Sequence, residues 1–162
     1  IVVLDEGRVL QTGPTPDVYH NPATTKVAEI LSDPPINYLP CTVRERIASL
    51  SEQIEFPLTN HLQALPAGQY IFGVRPHRLF LNQTSAEDIE IRATVELAEI
   101  NGSETFIHGH YADSRLVVQE DGVHPYRMGA EISIYVHPSS FFVFAQAGAL
   151  VASPVGSTHE KP

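Results

Sequence analysis

Several chemistries are excluded by what this chain lacks. It has two lysines, Lys26 within Thr25-Lys26-Val27 and Lys161 before Pro162, and neither has the Lys-Ser/Thr sequence that ends a phosphate-cradling glycine loop. The nucleophile elbow Gly-x-Ser-x-Gly and the metalloprotease pattern His-Glu-x-x-His are also missing. Nothing reads as a catalytic residue. Tryptophan is absent, and the single cysteine, Cys41, has no partner for an internal disulfide or a zinc thiolate pair, which fits a reducing compartment and a small buried hydrophobe. Positive charge is scarce. Ten Lys and Arg against nineteen Asp and Glu leave a net charge of −9, which repels a phosphate backbone, so no nucleic-acid partner is expected. No apolar run approaches the roughly 18 residues that span a bilayer. Ile1-Val2-Val3-Leu4 meets Asp5-Glu6 at once, too short and too acidic for a secretory signal, and reads as a strand. The only methionine is Met128, so the chain is expected to be a piece of a longer one.

What is present suits a globular chain of 162 residues, 43% hydrophobic and 18% charged, large enough to bury roughly 70% of its unfolded surface. Residues 1–12 read as a hairpin around Asp5-Glu6-Gly7. Thr15-Pro16-Asp17 gives an N-cap, a first-turn proline and a first-turn acid for one short helix. Asn21-Pro22 repeats the start signal, and Ala23, Val27, Ile30 and Leu31 then recur at helical spacing, so residues 22–32 are expected to be amphipathic. This segment cannot enclose a core alone and must pack on something else. Ser32-Asp33-Pro34-Pro35 is the linker, because a double proline holds the backbone extended. Beyond it short strands are expected over 38–50, 53–56, 69–74, 89–100, 105–111, 115–119, 130–136 and 141–144. Many short strands with no long helix predict a mainly β fold, a small Greek-key barrel or a sandwich. The expected domains are 1–33, 34–150 and a disordered tail over 151–162.

Two stretches organise the barrel. Phe72-Gly73-Val74-Arg75-Pro76-His77-Arg78 is a strand stopped by a proline that begins a basic helical corner. Asn101-Gly102 is a hairpin signal between two alternating runs. Arg75 and Arg78 suit either an anion-binding corner or a structural corner paired with the plentiful acids. Glu104 suits either an arginine partner within the barrel or a contact to another chain. His108 and His110 lie on one face of a strand and form a weak metal candidate, set against an ordinary solvated face and lacking a third ligand nearby.

Read together, Ile1 to Val9, Gly13, Thr15-Pro16 and Tyr19-His20-Asn21-Pro22 resemble the last strands and helices of an ABC-transporter ATPase, beginning mid-domain. Pro34-Pro35-Ile36-Asn37-Tyr38-Leu39 resembles the junction in the sugar-import branch, of maltose and glycerol-3-phosphate type. Gly73-Val74-Arg75-Pro76 and Gly102-Ser103-Glu104-Thr105 match two hallmarks of that branch's regulatory domain. The resemblance implies an OB-like barrel of the molybdate-binding (MOP), or TOBE, type, preceded by a short α+β remnant of the ATPase. It also implies Arg75, Pro76, Gly102, Ser103 and Glu104 as interface or regulatory residues. The implied partners are a second copy of the chain, transporter membrane subunits through the parent protein, and a regulatory protein or small effector. No cofactor is expected in this piece. ATP and Mg would belong to the missing ATPase part, and the place would be cytoplasmic, against the inner face of the membrane. The alternative is a barrel that binds a small oxyanion or effector. Two positions depart from the pattern: His77-Arg78 stands where Glu-His is usual, and Asn101 stands where an apolar residue usually precedes Gly-Ser-Glu. No role of that glutamate carries over to His77.

Overall fold

A computed structural model describes residues 1–154. The chain opens with a hairpin, β1 (Val2–Asp5) and β2 (Arg8–Thr12), whose turn places Glu6 and Gly7 at positive φ. Helix α1 (Thr15–His20) follows Pro14. Its cap is this proline rather than the expected Thr15, and no side chain bonds the first turn. Helix α2 (Thr25–Ile30) is shorter than the expected 22–32. Thr24 is its cap, with Oγ1 accepting from Val27 N at 3.3 Å, while Ala23 and Thr24 are held extended by Leu150 and Ala149. Backbone pairing there outweighs the helix start at Asn21-Pro22.

The remaining strands are β3 (Asn37–Arg44), β4 (Ile47–Leu50), β5 (Ile54–Pro57), β6 (Gly68–Val74), β7 (Ile89–Asn101), β8 (Glu104–Tyr111), β9 (Ser114–Asp121), β10 (Glu131–Val136), β11 (Phe142–Ala145) and β12 (Leu150–Ala152). They form two antiparallel sheets, ordered β10-β7-β8-β9 and β12-β11-β6-β3-β4-β5. The single run expected over 38–50 is a hairpin, because Glu45 and Arg46 both take positive φ and reverse the chain. The first residues of the expected tail are in a strand. Leu150–Ala152 pair with β11, and Ser153 Oγ donates to Asn21 Oδ1 at 2.6 Å. Residues 155–162 of that tail lie outside the described residues.

Strand alternation turns one face of each sheet inward. Leu39, Cys41, Val43, Phe72 and Val74 of the larger sheet meet Ile91, Ala93, Val95, Ile107, Leu116, Val118 and Ile134 of the smaller one, with Phe56, Phe72 and Phe141 in mutual ring contact. The result is a curled, mainly β, OB-like barrel. Burial pushes the Cys41 thiol up to about 12, so it sits in this core as a neutral hydrophobe. Asn37 closes the seam between the sheets. Its Oδ1 accepts from Val117 N at 2.7 Å and its Nδ2 donates to Val117 O at 2.9 Å, so one side chain supplies both bonds of a missing strand.

The N-terminal segment has its own small cluster of Val3, Val18 and Val27. The next residue of α2, Ala28, turns to the outer face of the larger sheet and joins Ile36, Phe142 and Phe144. α2 therefore bridges the hairpin and the barrel, and Tyr38 adds to the bridge by donating to Thr25 O at 2.6 Å.

Candidate functional site

The corner after β6 forms as its residues dictate: Pro76 ends the ladder and Pro76–Arg78 make a single 3-10 turn. Arg75, only 3% exposed, points into the junction between barrel and N-terminal segment. Nη2 donates to Tyr19 O at 2.9 Å and Nη1 to Leu31 O at 3.2 Å. Tyr19 lies in the last turn of α1 and Leu31 caps α2, so one cation serves the carbonyl ends of both helices. The guanidinium carbon lies 3.8 Å from the Tyr19 ring centroid and 5.3 Å from that of Phe142. Burial lowers the Arg75 pKa from its usual value, opposed by Tyr19 and Tyr38, and Nε has no hydrogen-bond partner.

This geometry bears on the anion-corner alternative through Arg75. Both terminal nitrogens of Arg75 are engaged with backbone carbonyls and its cationic face is covered by an aromatic ring. Among the described residues Arg75 pairs with no acid. Arg78 is half-buried, with its pKa also lowered by burial, and His77 is exposed.

The second group stands at the tip of the β7–β8 hairpin. Asn101 pairs with Glu104 in register, leaving Gly102 and Ser103 as the loop, and Gly102 has φ +64°. Glycine at the first of two loop positions is the type II′ pattern, so the turn signal is Gly102-Ser103, one residue later than the expected Asn101-Gly102. Ser103 O accepts from Gly122 N at 2.6 Å, and Glu104 Oε1 accepts from Gln119 Nε2 at 2.8 Å. Among the described residues the barrel partner of Glu104 is thus the amide of Gln119. Arg75 and Pro76 are buried, whereas Gly102 and Ser103 are exposed, so the five expected interface residues do not share one exposed surface. The linker joins them: Leu31 is held by Arg75, and Asp33, Pro34 and Pro35 line an open notch whose other side includes Asn101 and Glu104.

His108 and His110 share the outer face of β8, as alternation requires, but each has its own glutamate. His108 Nε2 lies 2.9 Å from Glu99 Oε2, and His110 Nδ1 lies 3.2 Å from Glu96 Oε1. A bulge between Val95 and Leu97 sets the two glutamates apart. Among the described residues no three His, Cys, Asp or Glu side chains gather as a metal site. Sequence reasoning missed Tyr19 and Asn37. Asn37 left a signal, a polar residue at an inward position of an apolar run; Tyr19 left none.

Residues 72–144 match the TOBE domain family. The chain is 31% identical over 159 residues to the maltose/maltodextrin import ATP-binding protein MalK of Escherichia coli K12, and equally so to that of Yersinia pestis biovar Antiqua. It is 29% identical over 151 residues to the sn-glycerol-3-phosphate import ATP-binding protein UgpC 3 of Agrobacterium fabrum C58. Each alignment covers 91% of this chain but 41–42% of the relative, so the chain spans about two fifths of the length of the curated relatives it matches. Among solved structures, the cytoplasmic molybdate-binding protein ModG, in a molybdate-bound form, aligns at a TM-score of 0.53 and 13% identity over 66% of this chain and 94% of that one, a likeness of fold. Residues 72–144 of the barrel are therefore a TOBE domain, and the chain is similar over 91% of its length to ATP-binding proteins of maltose/maltodextrin and sn-glycerol-3-phosphate import.

Proposed function

We propose that this chain is the regulatory and self-associating end of the ATP-hydrolysing subunit of a carbohydrate-type importer, and takes no part in the chemistry itself. Residues 1–33 would be the close of the ATPase domain, and residues 34–150 the regulatory barrel. One observation carries the self-association: Leu97 and Ile100, 47% and 53% exposed, stand on the end of β7 that leads into the hairpin tip of Gly102, Ser103 and Glu104. Large apolar side chains beside a polar tip suit the centre of a protein contact better than a solvated edge. A second copy of the chain is the proposed occupant. The exposed apolar face of the N-terminal hairpin, Val2, Leu4 and Val9, supports the reading of residues 1–33 as packing against further ATPase structure. ATP and Mg would bind that further structure. Through it the subunit would meet the membrane components, on the cytoplasmic side.

The test is sedimentation velocity of the chain over a concentration series, with a Leu97→Asp/Ile100→Asp variant alongside. Association in the parent that is lost in the variant supports the reading; monomer throughout opposes it. The rival reading, a small-oxyanion barrel, draws on the ModG-like fold and is weakened by the engaged Arg75. Calorimetric titration with molybdate and sulfate checks it: flat traces are expected, and a salt-resistant signal would promote the rival.

A further inference from the structure

Asn101 is the one asparagine in the sequence followed by glycine. It is exposed at the end of β7, and among the described residues its side-chain amide makes no hydrogen bond. Gly102 carries no side chain to shield its backbone nitrogen, and a Cβ built there would meet nothing within 4 Å, so the tip is open around it. Among the described residues that nitrogen also donates to no turn or loop carbonyl. We propose that Asn101 is a self-modifying site, converting through a cyclic imide with Gly102 to isoaspartate and aspartate.

The step balances without any oxidant or reductant. Hydroxide removes the Gly102 amide proton and the nitrogen attacks Asn101 Cγ. A nitrogen–Cγ bond forms, the Cγ–Nδ2 bond breaks, and Nδ2 leaves as ammonia after taking a proton from water. Water then adds to one of the two ring carbonyls. Opening at the α-carbonyl gives isoaspartate, and opening at Cγ gives aspartate; the sum is amide plus water to carboxylate plus ammonium.

A neighbouring pair provides an internal control. Asp121-Gly122 has the same steric openness in sequence and lies opposite Glu104 in the ladder, yet Gly122 N donates to Ser103 O at 2.6 Å and is tied down. The same ring closure is therefore suppressed at Asp121. The remaining asparagines precede Pro22, Tyr38, His61 and Gln83, all bulkier than glycine. Conversion at Asn101 has a local consequence. Isoaspartate lengthens the backbone by one atom just before the glycine the turn requires, and either product sets a new carboxylate beside Glu99 and Glu104 on the rim of the notch. The Ser103–Gly122 bond loosens as the tip loses register. None of this rests on self-association.

The experiment ages the 162-residue chain in mildly alkaline buffer at body temperature, then digests it for mass spectrometry with an isoaspartate-specific assay. The peptide carrying Asn101 is expected to gain about one mass unit several-fold faster than any other asparagine peptide, with isoaspartate the larger product and none at Asp121. Asn101→Gln keeps an amide but needs a larger ring, and is expected to lose the conversion. Hydrogen exchange at Gly122 should quicken in the aged chain and stay slow in that variant. An unchanged Asn101 in the folded chain, alongside a converting free peptide of the same sequence, would overturn the proposal. So would equal conversion at Asp121, or a mass gain that persists in Asn101→Gln.

Discussion

Arg75 carries its charge into a junction where two helix ends would otherwise leave carbonyls without donors. Arg75→Ala strands the Tyr19 and Leu31 carbonyls in a buried site, and the expected loss is about 3 kcal/mol of unfolding free energy, measurable by urea denaturation. Arg75→Lys keeps the charge but cannot present a planar fork to two carbonyls while stacking on Tyr19, so it should recover less than half of that loss. Full recovery with lysine would mean that charge alone matters. At His61 the sign of a pH effect follows from its surroundings. Burial holds its pKa below the ordinary 6.5, partly offset by the Phe141 carbonyl, which lies 2.6 Å from Nε2. The unfolded chain thus takes up the proton first as pH falls. The stability linked to this group is present above about pH 6.5 and declines below it. A His61→Gln variant should flatten that part of the pH–stability curve, and an unaltered slope would assign it to other groups. The sequence marked Arg75 as important through its place before Pro76, yet its role depends on carbonyls 44 and 56 residues away, a separation that no local pattern encodes.

At the scale of elements, strands were easier to read than their turns, for a physical reason. Alternation is a property of each strand, whereas a reversal can be imposed by pairing on residues that do not favour it. Glu45-Arg46 and Ser51-Glu52 take positive φ with none of the glycine or asparagine that announces such turns, so the break between β3 and β4 was invisible. β12 was missed because Leu150–Ala152 is only three residues long and pairs with a strand already in place. Helix α2 was legible only in part: Val27 is buried and Leu31 half-buried as expected, but Ala23 and Ile30 are exposed, Ala28 is the second buried residue, and Thr24 fixes the start. Thr24→Ala should therefore cost about 1 kcal/mol, read as a lowered denaturation midpoint, with no change if the helix is held by packing alone. A second element-scale prediction concerns β8. A Cβ on Gly109 would lie 2.9 Å from Thr94 O, and a backbone atom in a paired strand cannot step aside cheaply. Gly109→Ala should cost about 1–3 kcal/mol, and a neutral outcome would mean that β7 can shift at its bulge.

For the whole molecule, the sequence conveyed the barrel and the family pattern because hydrophobic alternation and the Gly-x-Arg-Pro and Gly-Ser-Glu stretches are local. It did not convey which surfaces remain free, since that depends on what each side chain finds in the fold. Arg75, expected at an interface, is buried within the chain, while Leu97 and Ile100 emerged as exposed only after the bulge in β7 shifted the pattern. Charge sets a further expectation. Two copies at −9 each repel, so their association should strengthen as salt rises from low to physiological ionic strength, opposite to a contact built on ion pairs. Sedimentation velocity of the wild-type chain and the Leu97→Asp/Ile100→Asp variant, over the same concentrations and at two salt levels, bears on this most directly. The wild type should form a dimer that grows with salt and the variant should remain monomeric; a wild type that stays monomeric, or a variant that dimerises as well, would contradict the account.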